Sequence, residues 1–220
     1  MATSTVENYL KHILLLSEHP GALVSMGALA GALAVVPGTV TTMVKMLAAE
    51  GLVVHRAREG VRLTPAGHKL ALNVLRKHRL VETFLVQVLK MDWAEIHAEA
   101  EQLEHAISDR VLDRFDALLG HPASDPHGDP IPSRSGKLDT HVYATLATCP
   151  VAVGLRVVRV IDQSGDFLQF VEEHKLTPGA QLAVAERNLA AGIVRLRRSG
   201  RRETTLSLAA AGKISVALRA

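Results

Sequence analysis

The apolar positions at the start of the chain recur at helical spacing. Val6, Tyr9, Leu10, Ile13 and Leu14 share one face of a 3.6-residue period, and Pro20-Gly21 ends the segment. Ser25 predicts the cap of a short helix through Leu29 and Leu33. A turn at Val35-Val36-Pro37 leads to a third helix over 38–50, stopped by Gly51. Two apolar runs, 52–55 and 60–63, flank Arg56-Ala57-Arg58-Glu59 and predict a β-hairpin. Thr64-Pro65 places a capping hydroxyl before a proline at the first helical position, opening a helix to about Leu89. Asp92 with Glu95 reads as a capping box for a helix to about Ile107, and Ser108 caps another to Leu118.

Beyond that point the pattern changes. Residues 120–137 are rich in proline and glycine and read as loop and linker. Short β-like runs follow at 151–161, 181–185, 193–197, 204–208 and 214–218, with a short helix over 167–174 and a turn at Ser199-Gly200. The predicted fold is mainly α with a small β tail. It comprises a winged helix-turn-helix head (1–72), a helical metal-binding and dimerisation domain (73–133), a linker (134–149) and an SH3-like barrel (150–220).

Composition narrows the function classes. With 220 residues, 48% hydrophobic and 21% charged, the chain is globular and large enough for more than one domain. No apolar stretch approaches the roughly 20 residues needed to span a bilayer. The segment MATSTVENYLKH does not read as a secretory signal. The single cysteine, Cys149, supports neither an internal disulfide nor a thiolate zinc site. A cytoplasmic protein without a membrane partner is expected. Aromatics at 3% argue against a stacking surface for single strands. Residues 1–72 carry six basic and four acidic side chains, 73–140 eight and twelve, and 141–220 eleven and six. An acidic middle between basic ends predicts a cation in the centre and a polyanion at the ends.

In the head, the third helix is the one expected to enter the major groove of double-stranded DNA. Val40, Val44 and Leu47 face inward, while Thr39, Thr41, Thr42 and Lys45 face outward to bases and phosphates. Arg56 and Arg58 at the hairpin tip suit backbone or minor-groove contact. In the middle, a helical wheel with His97 at zero puts Glu101 near 40°, Glu104 near −20° and His105 near 80°. Trp93, Ile96, Ala100, Leu103 and Ile107 form the adjoining apolar face. His78 and Glu82 are an i, i+4 pair on the preceding helix. Six nitrogen and oxygen donors without thiolate suit Mn(II), Fe(II) or Zn(II). The other histidines, 12, 19, 55, 68, 121, 127, 141 and 174, read as surface or structural residues.

The segments RKHRLVETFL (76–85), IHAEAEQLEHAISD (96–109) and DPHGDPIP (125–132) carry a resemblance to the diphtheria toxin repressor family of iron- and manganese-dependent transcriptional regulators. VENYL (6–10) and GTVTTMVKMLAAEGLV (38–53) match less specifically. The resemblance implies a homodimer that binds palindromic operator DNA when metal is loaded. It implies one metal position at Asn8, Glu101, Glu104 and His105, and a neighbouring one at His78, Glu82 and His97. In some members the tail adds ligands, for which Asp166 is the candidate here.

Three departures stand out. Asn8 replaces the Met or Asp of the family. Lys11 stands where manganese-type members have an acid, and Glu101 where iron-type members have Cys. A carboxylate in place of a thiolate favours the harder ion, manganese, although Fe(II) remains open and Zn(II) can bind in vitro. The expected function is a metal-dependent regulator, by family default a repressor, of metal homeostasis genes, with no catalytic residues and no small organic substrate. Leu80, Phe84, Leu85, Leu112 and Phe115 are candidates for the dimer interface or the internal core. The run Arg195 to Arg198 with Arg201 and Arg202 reads as a solvated hairpin. Two other readings stand beside this one. One is a winged-helix regulator of an organic ligand whose His–Glu face is structural. The other is a metallohydrolase, which lacks an HExxH spacing or nucleophile elbow here.

Overall fold

The Thr3 hydroxyl accepts the N–H of Val6 at 3.4 Å and opens the first helix, α1 (Ser4–Leu16). A computed structural model of the chain describes residues 3–19, 21–198 and 203–219. Pro20, the turn at Ser199-Gly200 and Arg201-Arg202 lie outside the described residues. Ser25 caps α2 (Met26–Ala32) through the N–H of Ala28, as its side-chain chemistry predicts. Pro37 occupies the first turn of α3 (Pro37–Ala49), where its missing N–H costs nothing. The hairpin β1 (Val53–Arg56) and β2 (Gly60–Leu63) follows, with Val53 opposite Leu63. Val24 adds a short third edge, exchanging two backbone hydrogen bonds with Val61 at 2.8 and 2.9 Å. Gly60 permits this approach, since a Cβ there would lie 2.3 Å from the Val24 carbonyl oxygen. Thr64 then caps α4 (Pro65–Gln87) by accepting the N–H of Gly67.

The chain continues through α5 (Ile96–Leu103), α6 (Asp109–Leu118) and β3 (Ala144–Thr145). The tail holds β4 (Leu155–Val160), α7 (Gly165–Glu173), β5 (Gln181–Asn188), β6 (Ile193–Arg197), β7 (Thr204–Ser207), α8 (Leu208–Ala211) and β8 (Ile214–Leu218). Two compact units result. The first comprises residues up to 78 with 101–112 and 132–138, and the second comprises 79–100, 113–131 and the residues from 139 onward.

The core of the first unit is the winged helix-turn-helix. Leu10 and Ile13 of α1 pack with Leu29 of α2, Val40 and Leu47 of α3, and Val61 of β2. The second unit is built on an antiparallel sheet in the order β3-β8-β4-β5-β6-β7. Irregularities between Val157 and Arg159 and between Val184 and Glu186 bend the strands, as expected of an SH3-like sheet that curls on itself. Leu155, Val184, Leu196 and Val216 fill its interior, Leu168 and Val171 of α7 cover it, and Trp93 joins the same core. The DPHGDPIP segment is strapped to β4, the His127 carbonyl accepting the N–H of Val160 at 2.8 Å. Gly128, at φ +90°, allows the crossing: a Cβ there would lie 2.0 Å from the Val158 oxygen.

Several expectations change. The helix expected from Asp92 begins at Ile96, because Asp92 Oδ1 accepts the N–H of Ala94 in a local turn instead of capping a helix. That helix ends at Leu103, so Glu104 and His105 sit on the turn after it rather than on the helical wheel. The strand expected from Val151 starts at Leu155. Leu80, Leu85 and Leu112 are buried within the protomer, which makes them core residues. Phe84 and Phe115 stack on each other with centroids 4.0 Å apart. Val88, Leu89 and Leu118 keep apolar surface exposed. No single helix among the described residues is long and apolar enough to cross a membrane.

Candidate metal centre

In the first unit, α1 delivers Glu7, Asn8 and Lys11 toward the end of α5 and the turn that follows it. There Glu101, Glu104 and His105 bring one potential ligand atom each to within 4.8 Å of one another. His105 Nδ1 donates to Glu7 Oε2 at 2.5 Å, and its Nε2 faces Asn8 Oδ1 at 2.9 Å and Glu104 Oε1 at 3.3 Å. His78 from α4 donates to Glu104 Oε2 at 2.6 Å. Lys11 Nζ lies 2.5 Å from Glu101 Oε1 and 2.7 Å from Glu104 Oε1. Glu104 and Lys11 are both buried. The four residues expected at the first metal position are therefore together, with a cationic head already among the carboxylates. That ammonium shows that the donor set accepts positive charge at this point.

The neighbouring position falls out differently. His78 belongs to the first unit, where it holds Glu104. Glu82 and His97 belong to the second, where His97 Nδ1 lies 3.3 Å from Glu82 Oε1 and the imidazole is largely exposed. Within that second unit Glu82 gathers two residues that the sequence reading assigned no ligand role. Glu82, Asp125 and His127 are all buried and bring ligand atoms within 4.8 Å of one another.

The geometry of His127 is informative. Its Nε2 donates to the Trp93 carbonyl at 3.0 Å, which leaves the lone pair on Nδ1, and buried Nδ1 has no hydrogen-bond partner. A backbone acceptor on one ring nitrogen and an unused lone pair on the other is the arrangement of a metal-ligating histidine. Burial pushes the Asp125 carboxyl well above the usual range, and the carboxylates of Asp129 and Glu82 push it further, against the opposing pull of Arg79. A buried set of two carboxylates and an imidazole, with Arg79 3.6 Å from Asp125, fits a divalent cation bound through oxygen and nitrogen. The signal for His127 and Asp125 was present in DPHGDPIP, where an Asx turn brings the two side chains to one strap: Asp125 Oδ1 accepts the N–H groups of His127 and Asp129. Asp166 is exposed in the first turn of α7 and belongs to none of the candidate clusters among the described residues.

The DNA-facing candidates lie in the first unit. Thr39, Thr42 and Lys45 are exposed on α3, and Thr41 is half-buried. The Thr41 and Thr42 hydroxyls donate back to the carbonyls of Pro37 and Gly38, so each oxygen keeps its acceptor capacity. Arg56 and Arg58 are exposed at the hairpin, Arg56 against Glu59 at 3.3 Å and Arg58 at φ +67°. In the tail, Arg195 pairs with Glu186 and Glu203, and Arg198 donates to the His174 carbonyl, consistent with a structural hairpin.

Comparison with known proteins agrees with this anatomy. The family described as iron dependent repressor, N-terminal DNA binding domain, matches residues 1–61. Its metal binding and dimerisation domain matches 64–133, and a FeoA domain matches 144–218. The HTH-type transcriptional regulator MntR of Lysinibacillus sphaericus is 34% identical over 119 residues, 54% of this chain and 84% of that one. The iron-dependent repressor IdeR of Mycobacterium tuberculosis is 40% identical over 94 residues, 43% of this chain, a match that spans only 41% of IdeR's length. A solved manganese-dependent transcriptional repressor in complex with manganese superimposes with TM-score 0.86 at 36% identity, covering 97% of this chain and 100% of that one. Family matches along the chain and a relative of known structure with the same overall fold thus agree, and the chain belongs to the iron-dependent repressor family of winged-helix, metal-dependent transcriptional regulators.

Proposed function

We propose that this protein is a cytoplasmic, homodimeric transcriptional repressor without catalytic activity. It binds palindromic operator DNA in response to Mn(II) or Fe(II) and controls metal homeostasis genes. The observation that carries this reading is the gathering of Glu101, Glu104 and His105 against α1 of the DNA-binding unit. Asn8, Glu101, Glu104 and His105 would hold one ion. Glu82 with Asp125 and His127 would hold another, with His97 against Glu82 and with His78 supporting Glu104. A bound divalent ion would supply two positive charges to these carboxylates. Glu101 as a carboxylate favours manganese over softer ions.

The rest is the work of this chain's own groups. Glu7 holds the His105 ring by its Nδ1, and Asn8 faces the other nitrogen, so α1 and the turn after α5 move as one piece. Since α1 packs on α2, ordering this cluster fixes the element on which the recognition helix α3 rests. In a dimer, two such helices must lie about 34 Å apart, or a multiple of that, to read both halves of a palindrome. Restricting the head to that spacing by about 1.4 kcal/mol is a tenfold gain in DNA affinity. Thr39, Thr41, Thr42 and Lys45 would then meet bases and phosphates, with Arg56 and Arg58 on the flanking backbone.

The test is titration of metal-stripped protein onto its own promoter DNA at fixed salt, with Mn(II), anaerobic Fe(II) and Zn(II) added separately. Binding that appears only with metal supports the reading, and the order of effective ions ranks them. Equal binding by the stripped protein overturns it.

A further inference from the structure

We infer that Lys11 is a tethered cation that occupies the first metal position of this chain, so that a divalent ion enters there only in exchange for its ammonium. This rests on the metal-dependent reading above. Lys11 follows Asn8 by one helical turn on α1 and is 1% exposed, an unusual place for a lysine. Its burial is explained by its partners. The ammonium sits 2.5 Å from Glu101 Oε1 and 2.7 Å from Glu104 Oε1, between two of the carboxylates that would hold an ion. The second oxygen of Glu104 is already held by His78 at 2.6 Å. An ion coordinated by both Oε1 atoms would stand against the ammonium at contact distance, and two cations cannot share those atoms in a buried site.

The consequence is a competition inside the molecule. A side chain held on its own helix pays no translational entropy to reach the carboxylates, whereas a free ion does. Divalent affinity at this position is therefore lowered, and α1 is tied to Glu101 and Glu104 before metal arrives. The Glu82, Asp125 and His127 cluster keeps the unpartnered His127 Nδ1, and its neighbouring cation, the Arg79 guanidinium, stands 3.6 Å from Asp125 rather than at the 2.5–2.7 Å at which Lys11 holds Glu101 and Glu104. Ions then load that cluster first and the Lys11 position second, only at higher concentration.

The test is Mn(II) binding to the metal-stripped full chain, followed by the electron paramagnetic resonance signal of the free ion, with thermal unfolding in parallel. The wild type should bind one equivalent tightly, and Asp125→Ala should remove it. Lys11→Met should add a second equivalent, at least tenfold tighter than any second binding in the wild type. Glu104→Gln in the Lys11→Met background should abolish the gain. Lys11→Arg, which keeps the charge, should behave as the wild type. Without metal, Lys11→Met should unfold at a lower temperature than the wild type and recover more on Mn(II) addition. If Lys11→Met folds only with Mn(II), seen by circular dichroism, that too supports the exchange. A lysine that is merely structural gives a lower midpoint with no gain in Mn(II), or an unfolded variant that Mn(II) does not rescue, and either result overturns the inference. If the Asp125-dependent equivalent persists while Lys11→Met adds none, only the role of Lys11 falls. If neither protein binds Mn(II) saturably, the metal-dependent reading falls with it.

Discussion

The Nδ1 of His78 stands 2.6 Å from Oε2 of Glu104, with both side chains buried. This pair holds the orientation of the carboxylate around which the first cluster is arranged. His78→Ala leaves that oxygen without its donor inside the protein. An unsatisfied buried acceptor costs about 1–3 kcal/mol. Urea unfolding of the metal-stripped protein should show a loss of that size for His78→Ala and a smaller one for His78→Gln, which can still donate. Equal losses would mean that ring volume, rather than the hydrogen bond, is what matters.

His127 separates ligation from packing. Its ring stacks on Trp93 with centroids 5.3 Å apart, so His127→Phe keeps an aromatic there while removing both nitrogens. The expected result is a folded protein that binds Mn(II) at least tenfold more weakly and loses metal-dependent operator binding. Salt-dependent, non-specific DNA binding should persist. Calorimetric Mn(II) titration beside a gel-shift series checks it, and undiminished Mn(II) affinity would remove His127 from the site.

Lys45 and Arg56 are exposed cations on α3 and the hairpin. The Arg56–Glu59 pair is solvent-exposed, and exposed pairs are worth only about 0–1 kcal/mol, so Arg56 is readily released to a phosphate. Each phosphate contact contributes about 0.9 to the slope of log affinity against log salt. Lys45→Ala and Arg56→Ala should each flatten the slope by about that amount and weaken all sequences alike. A change confined to one operator base pair would indicate base reading instead.

The tail carries a pH-dependent pair. The Lys213 ammonium, 2.6 Å from Asp162 Oδ2, together with the Ser164 N–H, holds the Asp162 carboxyl down from 3.8 to about 2. A depressed carboxylate stabilises the fold above its unfolded value, and that contribution is lost as pH falls from about 4 toward 2. Both side chains are partly exposed, so the effect is modest and screened by salt. Lys213→Met should flatten the acid limb of the stability curve in this range and raise the Asp162 titration midpoint, which carbon-detected NMR reads directly.

The head was legible because its signals are local. The period of Val6, Tyr9, Leu10 and Ile13 predicts the buried face of α1, and Thr64-Pro65 predicts the start of α4; both depend on backbone geometry and near neighbours. Glu101, Glu104 and His105 are legible as a chemical group, although a helical stripe is not what assembles them. The helix ends at Leu103, and the turn after it, not a helical stripe, brings His105 to Asn8 and Glu7. Asp92 looked like a helix cap and instead closes a two-residue turn, since the same side-chain oxygen serves either backbone arrangement.

Elements, family and donor chemistry can be read from residues 1–220 as a string, because periodicity, capping and residue type act within a few positions of the chain. Which residues meet across long separations depends on the packing of the folded chain. Lys11 reaches carboxylates 90 and 93 residues away, and no pattern around residue 11 records that. Asp125 and His127 acquire their meaning from Glu82 and from the Trp93 carbonyl, which the strap on β4 brings beside them. Burial makes a lysine, an aspartate and a histidine depend on the partners packed beside them, because an unpaired buried charge or polar group is costly, and burial is a property of the packed chain.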